Sequence, residues 1–414
     1  MAGVRPVREH ASRLTIAAAV ALALAAAAFY VVSSHGTSGL QPISEPALPR
    51  FSQPEPGIAL IRQTADSWRA ASGHRSYSNL FVGLALARSA AREPGRSLVY
   101  FSGTDVNTHW NTGVPYAEAR RRGWLLKDGA GNLLVNRRYP SNFIGDVGNP
   151  AFQRAWVESV ERILRKNGDD GVFIDDVVYD LEPLAGTEAA KYPTKKQWAA
   201  ATFSFVKAVG TALRSNGYYV ALNASGYIPG DASSDGGTRT ITWWEELGPY
   251  ANGLMNEYYA ETPDGSDRLR TAGDAWYQQW EGWQRLIGTA QSMGDDFFGL
   301  MHGPAGDARR MAFGKASFLL DWNGGGGAFL YQPSGQQDPW NGAWTRDIGR
   351  PNGPKHRVGK AWIRRYTGGV ALVNPNASGS QRLELGRRYL SPAGKPISQV
   401  TLEPSTGLVL PIAH

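Results

Sequence analysis

Four carboxylates crowd one short stretch of the chain: Gly168–Val177 reads GDDGVFIDDV, with Asp169-Asp170 and Asp175-Asp176 separated by four residues. If Gly171–Asp175 is a β-strand, a rise of about 3.3 Å per residue sets Asp170 and Asp175 roughly 16 Å apart. The two pairs therefore have different jobs. NGDDG follows a helical stretch and supplies turn residues, so the first pair belongs to a loop entering the strand. Asp175 and Asp176 leave the strand at its C-terminal end, where an α/β barrel keeps its chemistry. The plain reading of that second pair is a capping or solvated loop; the functional one needs a partner. GLMNEYY supplies it, with Glu257 near the end of a later apolar run whose neighbours would raise a carboxyl pKa. A carboxylic acid facing a carboxylate is the pair that glycoside hydrolysis requires, one protonating the leaving oxygen while the other attacks or activates water. The competing reading of Glu257 is an ion pair with a neighbouring Arg.

The elements that must position these groups follow from the apolar runs. Strands are expected near Phe51 and at Asn79–Gly83, Ser97–Ser102, Gly171–Asp175, Tyr218–Ala224, Gly253–Tyr259, Phe297–His302 and Ala328–Gln332. Between them, apolar spacing and end signals predict helices over Pro150–Asn167, Thr194–Asn216 and Asp307–Asp321. The strand runs are solidly apolar rather than alternating, as in strands covered on both faces. Eight such strands separated by helices predict an α/β fold, a (β/α)8 TIM barrel spanning residues 51–340. A doubly wound sheet is disfavoured because no Gly-rich phosphate fingerprint follows the early strands. Residues 341–414, most clearly from Trp362 on, have closely spaced short strands with Gly, Pro and Asn turns; they predict a small C-terminal antiparallel, β-sandwich-like domain.

Composition narrows the function classes. The chain has 414 residues, 42% hydrophobic and 11% aromatic, enough to fill a large core. Its formal charge of +7 comes from dispersed arginines without a basic, aromatic-interleaved run, so no nucleic-acid surface is expected. With no Cys there is no disulfide, thiolate metal site or Cys nucleophile. Leu14–Val32 is an Ala-rich apolar run preceded by Arg5, Arg8 and Arg13, so residues 1–36 read as a signal anchor or signal peptide and residues 37–50 as a flexible linker. The protein is expected to be exported: anchored in the membrane by that helix with the catalytic body outside the cytoplasm, or secreted if the signal is cleaved.

With these residues in hand, the sequence resembles the bacterial barrel-type glycoside hydrolases close to the hypothetical glycosyl hydrolase family 15 and related to the endo-α-1,4-polygalactosaminidase group. The stretches carrying the resemblance are GWLLKDGAGN (Gly123–Asn132), IGDVGNPAFQRAW (Ile144–Trp156), DGVFIDDV (Asp170–Val177), the Glu257 strand and YTGGVALVNP (Tyr366–Pro375). The resemblance implies a polysaccharide hydrolase, retaining or inverting, with Asp175 as a catalytic carboxylate and Asp176 lining the site. The residues alone leave Asp175 and Asp176 open, because successive strand side chains point to opposite faces. The first strand departs from the pattern, since RFSQPEPGIALI is a poor β-signal.

Other strand ends should supply substrate-binding groups: Tyr100, Asp105 and Asn107 after the third strand, Asp146 in GDVGNP, Asn223 after the fifth, His302 after the seventh, and Tyr331 with Gln332 after the eighth. Trp110, Trp243 and Trp244 could stack on sugar rings. Any one of these taken singly reads equally as a packing residue. No cofactor and no metal are expected, and the partner is a polysaccharide or oligosaccharide met by a monomer. Two readings compete: a catalytically silent carbohydrate-binding barrel of the cell envelope, and a divalent-metal-dependent hydrolase using Asp175, Asp176, Asp180 and Glu182. No HxH, HExxH or G-x-S-x-G spacing supports metal-hydrolase or serine-hydrolase chemistry.

Overall fold

Short, solidly apolar segments form a closed sheet where barrel neighbours cover one face and helices the other. A computed structural model describes residues 57–62, 80–83, 96–224, 238–261, 268–272, 280–333 and 341–414. Eight strands, β1 (Gly57–Arg62), β2 (Leu80–Gly83), β3 (Arg96–Ser102), β4 (Gly171–Asp175), β5 (Tyr219–Asn223), β6 (Gly253–Glu257), β7 (Asp296–Gly303) and β8 (Gly327–Pro333), are parallel and paired in chain order. β8 pairs with β1 and closes the barrel. The first strand lies at GIALIR rather than near Phe51: the Pro54 and Pro56 that weaken the earlier stretch as a β-signal precede it.

Helices α1 (Pro150–Asn167), α2 (Lys195–Ser215), α3 (Thr238–Leu247), α4 (Trp280–Met293) and α5 (Ala308–Asp321) separate or follow the later strands. The ends of α1, α2 and α5 are where the sequence signals put them. Asn149 accepts the Ala151 N–H ahead of Pro150 at the start of α1, Gly168 closes that helix at φ 77°, and Asp307 accepts the Arg310 N–H at the start of α5. Trp156 of α1 wedges between Phe101 of β3 and Phe205 of α2, with ring centroids 5.8 and 5.3 Å away. On the opposite wall Phe318 of α5 packs on Phe297 and Phe329.

These contacts settle the parity of each strand. Phe101, Phe297 and Phe329 face helices, so Tyr100, Phe298 and Ala328 face the interior. Register carries the assignment round the ring: Ser102 lies opposite Asp175, Asn223 opposite Met255, Glu257 opposite Leu300 and His302 opposite Gln332. Asp175, Asn223, Glu257, His302 and Gln332 thus share the inner face at the C-terminal mouth. The opposite end of the barrel is plugged by Arg96, which lies over the Tyr219 ring at 3.6 Å and bonds Asp296 at 3.3 Å. Asp170 belongs to this end, accepting the Ser97 N–H at 2.7 Å.

The C-terminal segment forms two layers. β9 (His356–Val358), β10 (Ala361–Arg365), β11 (Gly369–Asn374) and β14 (Thr406–Pro411) make one antiparallel sheet; β12 (Gln381–Leu390) and β13 (Pro396–Leu402) make a hairpin. A small core of Ile363, Leu372, Leu383, Leu385, Leu402 and Leu410 lies between them. The other face of the sheet lies on α5. Arg364 donates to the carbonyls of Leu319, Leu320 and Trp322 at the end of that helix, satisfying acceptors the helix itself leaves open. Among the described residues no helix is long and apolar enough to cross a membrane; the Leu14–Val32 run lies outside them.

Gly407 marks the closest approach. A Cβ there would stand 2.7 Å from the Phe313 Cα and 2.9 Å from the Ala312 carbonyl oxygen, both backbone atoms of α5. Gly407→Val is expected to cost about 1–3 kcal/mol through forced separation of sheet and helix. A lowered urea midpoint checks it; an unchanged midpoint would show that the sheet is free to move off α5.

Candidate active site

The inner-face residues at the barrel mouth converge on one amide. Asn223 Nδ2 donates to Asp175 Oδ1 at 2.7 Å and to Glu257 Oε2 at 2.9 Å. β5 lies between β4 and β6, so its terminal side chain falls between the two carboxyls. Those bonded oxygens cannot be farther apart than the sum of the two bonds, about 5.6 Å. The other oxygen of Asp175 accepts the Tyr100 hydroxyl at 2.5 Å. Asp175, Asn223 and Glu257 are all at least 95% buried.

Burial pushes the pKa of Asp175 up, while the Tyr100 and Asn223 bonds and the Asp176 N–H oppose that rise. Glu257 is pushed well above the ordinary carboxylate range, first by burial and then by the Asp175 charge, with Asn223 and Arg138 opposing. The environments differ in kind: Asp175 sits among donors that stabilise an anion, whereas Glu257 sits where a proton is retained. Asp176 turns into the mouth just past β4. It is partly exposed, adopts the left-handed region at φ 55°, and is also pushed well up by burial and by Asp175, Asp105 and Glu257. Its carbonyl accepts the Thr104 hydroxyl at 2.7 Å, which holds the strand exit. Tyr258, immediately after Glu257, is likewise left-handed at φ 63°. Both carboxyl-bearing strands thus end in a non-glycine residue held in a costly conformation, a feature that clusters at functional sites.

Asp105 completes the acidic group. Its Oδ2 accepts Asn136 at 3.0 Å and Asn142 at 2.5 Å, whereas its buried Oδ1 makes no hydrogen bond. Its pKa is raised to about 7, chiefly by burial and further by Asp175, against the two asparagine bonds.

The remaining predicted residues separate by what they touch. His302 is at the mouth, with Nε2 3.8 Å from Glu257 Oε1. Asn107 is buried and spent on its own loop: its Oδ1 accepts the His109 and Trp110 N–H groups, leaving Trp110 46% exposed. Asp146 latches a neighbouring loop, accepting Lys191 and Tyr192 at 2.6 Å each. Trp243 is on α3, not at a strand end, and packs edge-on to Tyr179; Trp244 is fully buried against Phe297. Tyr331 has the parity of Phe329 and turns to the helix side, its hydroxyl donating to Pro304 O at 3.0 Å, so the inward residue of that strand is Gln332. The four-residue metal set divides, because Asp180 and Glu182 are both engaged by Lys195. Among the described residues no group of three or more His, Asp or Glu is arranged to hold a metal ion.

Sequence reasoning missed Tyr139, Arg138, Glu261 and Arg310. Tyr139 belongs to the long loop after β3; its buried hydroxyl has no hydrogen bond, and burial followed by the Asp176 charge raises its pKa. Glu261 lies four residues beyond Glu257 and is buried against Arg310 and His302. The length of the Thr104–Pro140 loop was the one available signal.

The matched family decides the class. The model described as hypothetical glycosyl hydrolase family 15 matches residues 100–370, well over half of the chain and all of the mouth residues above. The chain belongs to hypothetical glycosyl hydrolase family 15. This member of the hypothetical family is accordingly a glycoside hydrolase. No curated protein matches it. Among solved structures it is similar to a noncanonic maltogenic α-amylase from Thermotoga neapolitana (8% identity, TM-score 0.48, 86% of this chain and 99% of that one). It is also similar to the γ-CGTase of alkalophilic Bacillus clarkii (10%, 0.48, 89% and 72%) and to an α-amylase from Geobacillus thermoleovorans (8%, 0.44, 88% and 99%).

The raised Asp105 has a measurable consequence. Unfolded, an Asp titrates near 3.8; folded, this one titrates at about 7. The folded state therefore favours the protonated group, and its contribution to stability is full below about pH 4 and is lost as pH rises through 7. Asp105→Asn keeps the shape and never ionises. It is expected to match the wild type at pH 4 and to exceed it by a few kcal/mol at pH 8, by urea midpoints at the two pH values. Equal midpoints at pH 8 would contradict the burial argument.

Proposed function

We propose that this protein cleaves a polysaccharide with retention of anomeric configuration, Asp175 acting as nucleophile and Glu257 as acid and then base. The supporting observation is the shared Asn223 amide, which keeps the two nearest carboxyl oxygens within about 5.6 Å. Retaining enzymes space their carboxyls about 5–5.5 Å apart, whereas inverting ones need roughly 6.5–9.5 Å to admit water. Glu257, held neutral by burial, gives its proton to the glycosidic oxygen as the bond to the anomeric carbon breaks. Asp175, kept anionic by Tyr100, Asn223 and the Asp176 N–H, bonds that carbon from the opposite face. Water then attacks the glycosyl ester, passing its proton to Glu257 and releasing Asp175.

Asp176, partly exposed at the mouth, is suited to accept sugar hydroxyls. Exposed Trp110 offers an aromatic face beside the long loop. The silent-barrel reading predicts Glu257 displaced from the mouth; its place beside Asn223 favours the hydrolase. Outside the cell, envelope or exopolysaccharide is the substrate class that suits an exported barrel.

Asp175→Asn and Glu257→Gln are each expected to lower turnover at least about 100-fold on envelope or exopolysaccharide fractions. The first product seen by NMR should keep the configuration of the cleaved bond. Undiminished turnover in both variants would sink the residue assignment, and an inverted first product the retaining one.

A further inference from the structure

His302 has no part in the steps above, yet its ring is fixed from several sides. Its Nδ1 lies 3.0 Å from Glu261 Oε1, and the same oxygen accepts the His302 backbone N–H at 2.8 Å. Glu261 Oε2 is ion-paired with Arg310 Nη2, and Arg310 Nε donates to the His302 carbonyl at 2.5 Å. Glu261 and Arg310 are buried, and the Tyr258 ring covers the imidazole at 5.1 Å between centroids. That leaves Nε2, which is buried, makes no hydrogen bond and is 3.8 Å from Glu257 Oε1.

The donor inventory gives this geometry a direction. A carboxylate in an ion pair offers only lone pairs, so the nitrogen facing Glu261 must be the N–H, and a neutral ring then turns the Nε2 lone pair toward Glu257. On the far side, Asn223 gives an N–H to Glu257 Oε2. The acid proton of Glu257 therefore belongs on Oε1, the oxygen facing His302.

We propose that His302 stands behind Glu257 with its Nε2 lone pair turned toward Oε1, and that Glu261, locked by Arg310, is the positioning residue that keeps His302 in that tautomer. The inference rests on Glu257 being the proton-bearing carboxyl of the reaction proposed above. The charged and titratable groups facing the pair are Asp175 from β4 and Asp176 just past it, Arg138 and Tyr139 from the loop after β3, Tyr258 and Glu261 beyond β6, and Arg310 of α5. Asp175 and Glu261 favour the proton on Glu257, and Arg138 opposes it. A neutral His302 in this tautomer presents a lone pair rather than an N–H to Oε1, which favours the acid form of Glu257.

The test is histidine-ring ¹⁵N NMR on the full chain, with the His302 signals assigned by their loss in His302→Gln. The neutral ring is expected as the Nδ1–H tautomer, with a lone-pair shift at Nε2. Glu257→Gln should move the Nε2 signal, because it changes the group that the lone pair faces. Glu261→Gln should let the tautomers mix. An Nε2 signal unmoved by Glu257→Gln overturns the facing of the two groups, and an Nε2–H tautomer in the wild type overturns the positioning role. The wild-type and Glu257→Gln spectra decide the matter even if Glu261→Gln does not fold. No reading needs substrate, so failure of the hydrolase assignment shows separately, as undiminished turnover in Glu257→Gln.

Discussion

One side-chain amide holds two buried carboxyls in the mouth of this barrel. Without the Asn223 N–H groups, Asp175 and Glu257 would be two buried carboxyls lacking this common donor. With them, each carboxyl has one oxygen tied to a fixed nitrogen and one left for other work. The remaining oxygens diverge in environment: Tyr100 reaches the first, and His302 faces the second. Much of the barrel architecture serves that arrangement. Three adjacent strands of matched parity end at the same level, and the ring of α1, α2 and α5 aromatics locks their register.

The strain at the strand exits belongs to the same design. Asp176 and Tyr258 occupy left-handed backbone one residue beyond each key carboxyl. An extended residue there would carry the chain straight out of the barrel. The sharp turn instead brings Asp176 back over the mouth and lays Tyr258 against His302. Such conformations cost roughly 1–3 kcal/mol apiece and persist only where the surroundings impose them. Here the Thr104 hydroxyl on the Asp176 carbonyl is one such restraint.

The residues that were legible in the sequence are those placed by strand arithmetic. Asp175, Asn223, Glu257 and His302 end apolar runs, and ending a run is enough to reach the mouth of a barrel. Parity was not legible, because the helix-facing side is fixed only when Trp156 and Phe318 find their partners. That is why Tyr331 could not be told from Gln332, nor Asp175 from Asp176. Asp146 and Asn107 looked like site residues because loops near a mouth look alike in one dimension; their bonds to Lys191, Tyr192 and the Asn107 turn are long-range or purely local closures with no periodic trace. Glu261, Arg310 and Tyr139 escaped for the same reason: a turn, a helix start and a long loop deliver them.

The clasp between Arg364 and the last turn of α5 makes the C-terminal sheet a structural continuation of the barrel. α5 precedes β8, the strand that closes the ring against β1. A sheet that satisfies the open carbonyls of that helix and touches its backbone at Gly407 acts as a hoop on the seam. For anyone redesigning the protein, the tail is therefore a poor place to cut or to graft. New parts are better attached on the outer hairpin of β12 and β13, two layers removed from the seam.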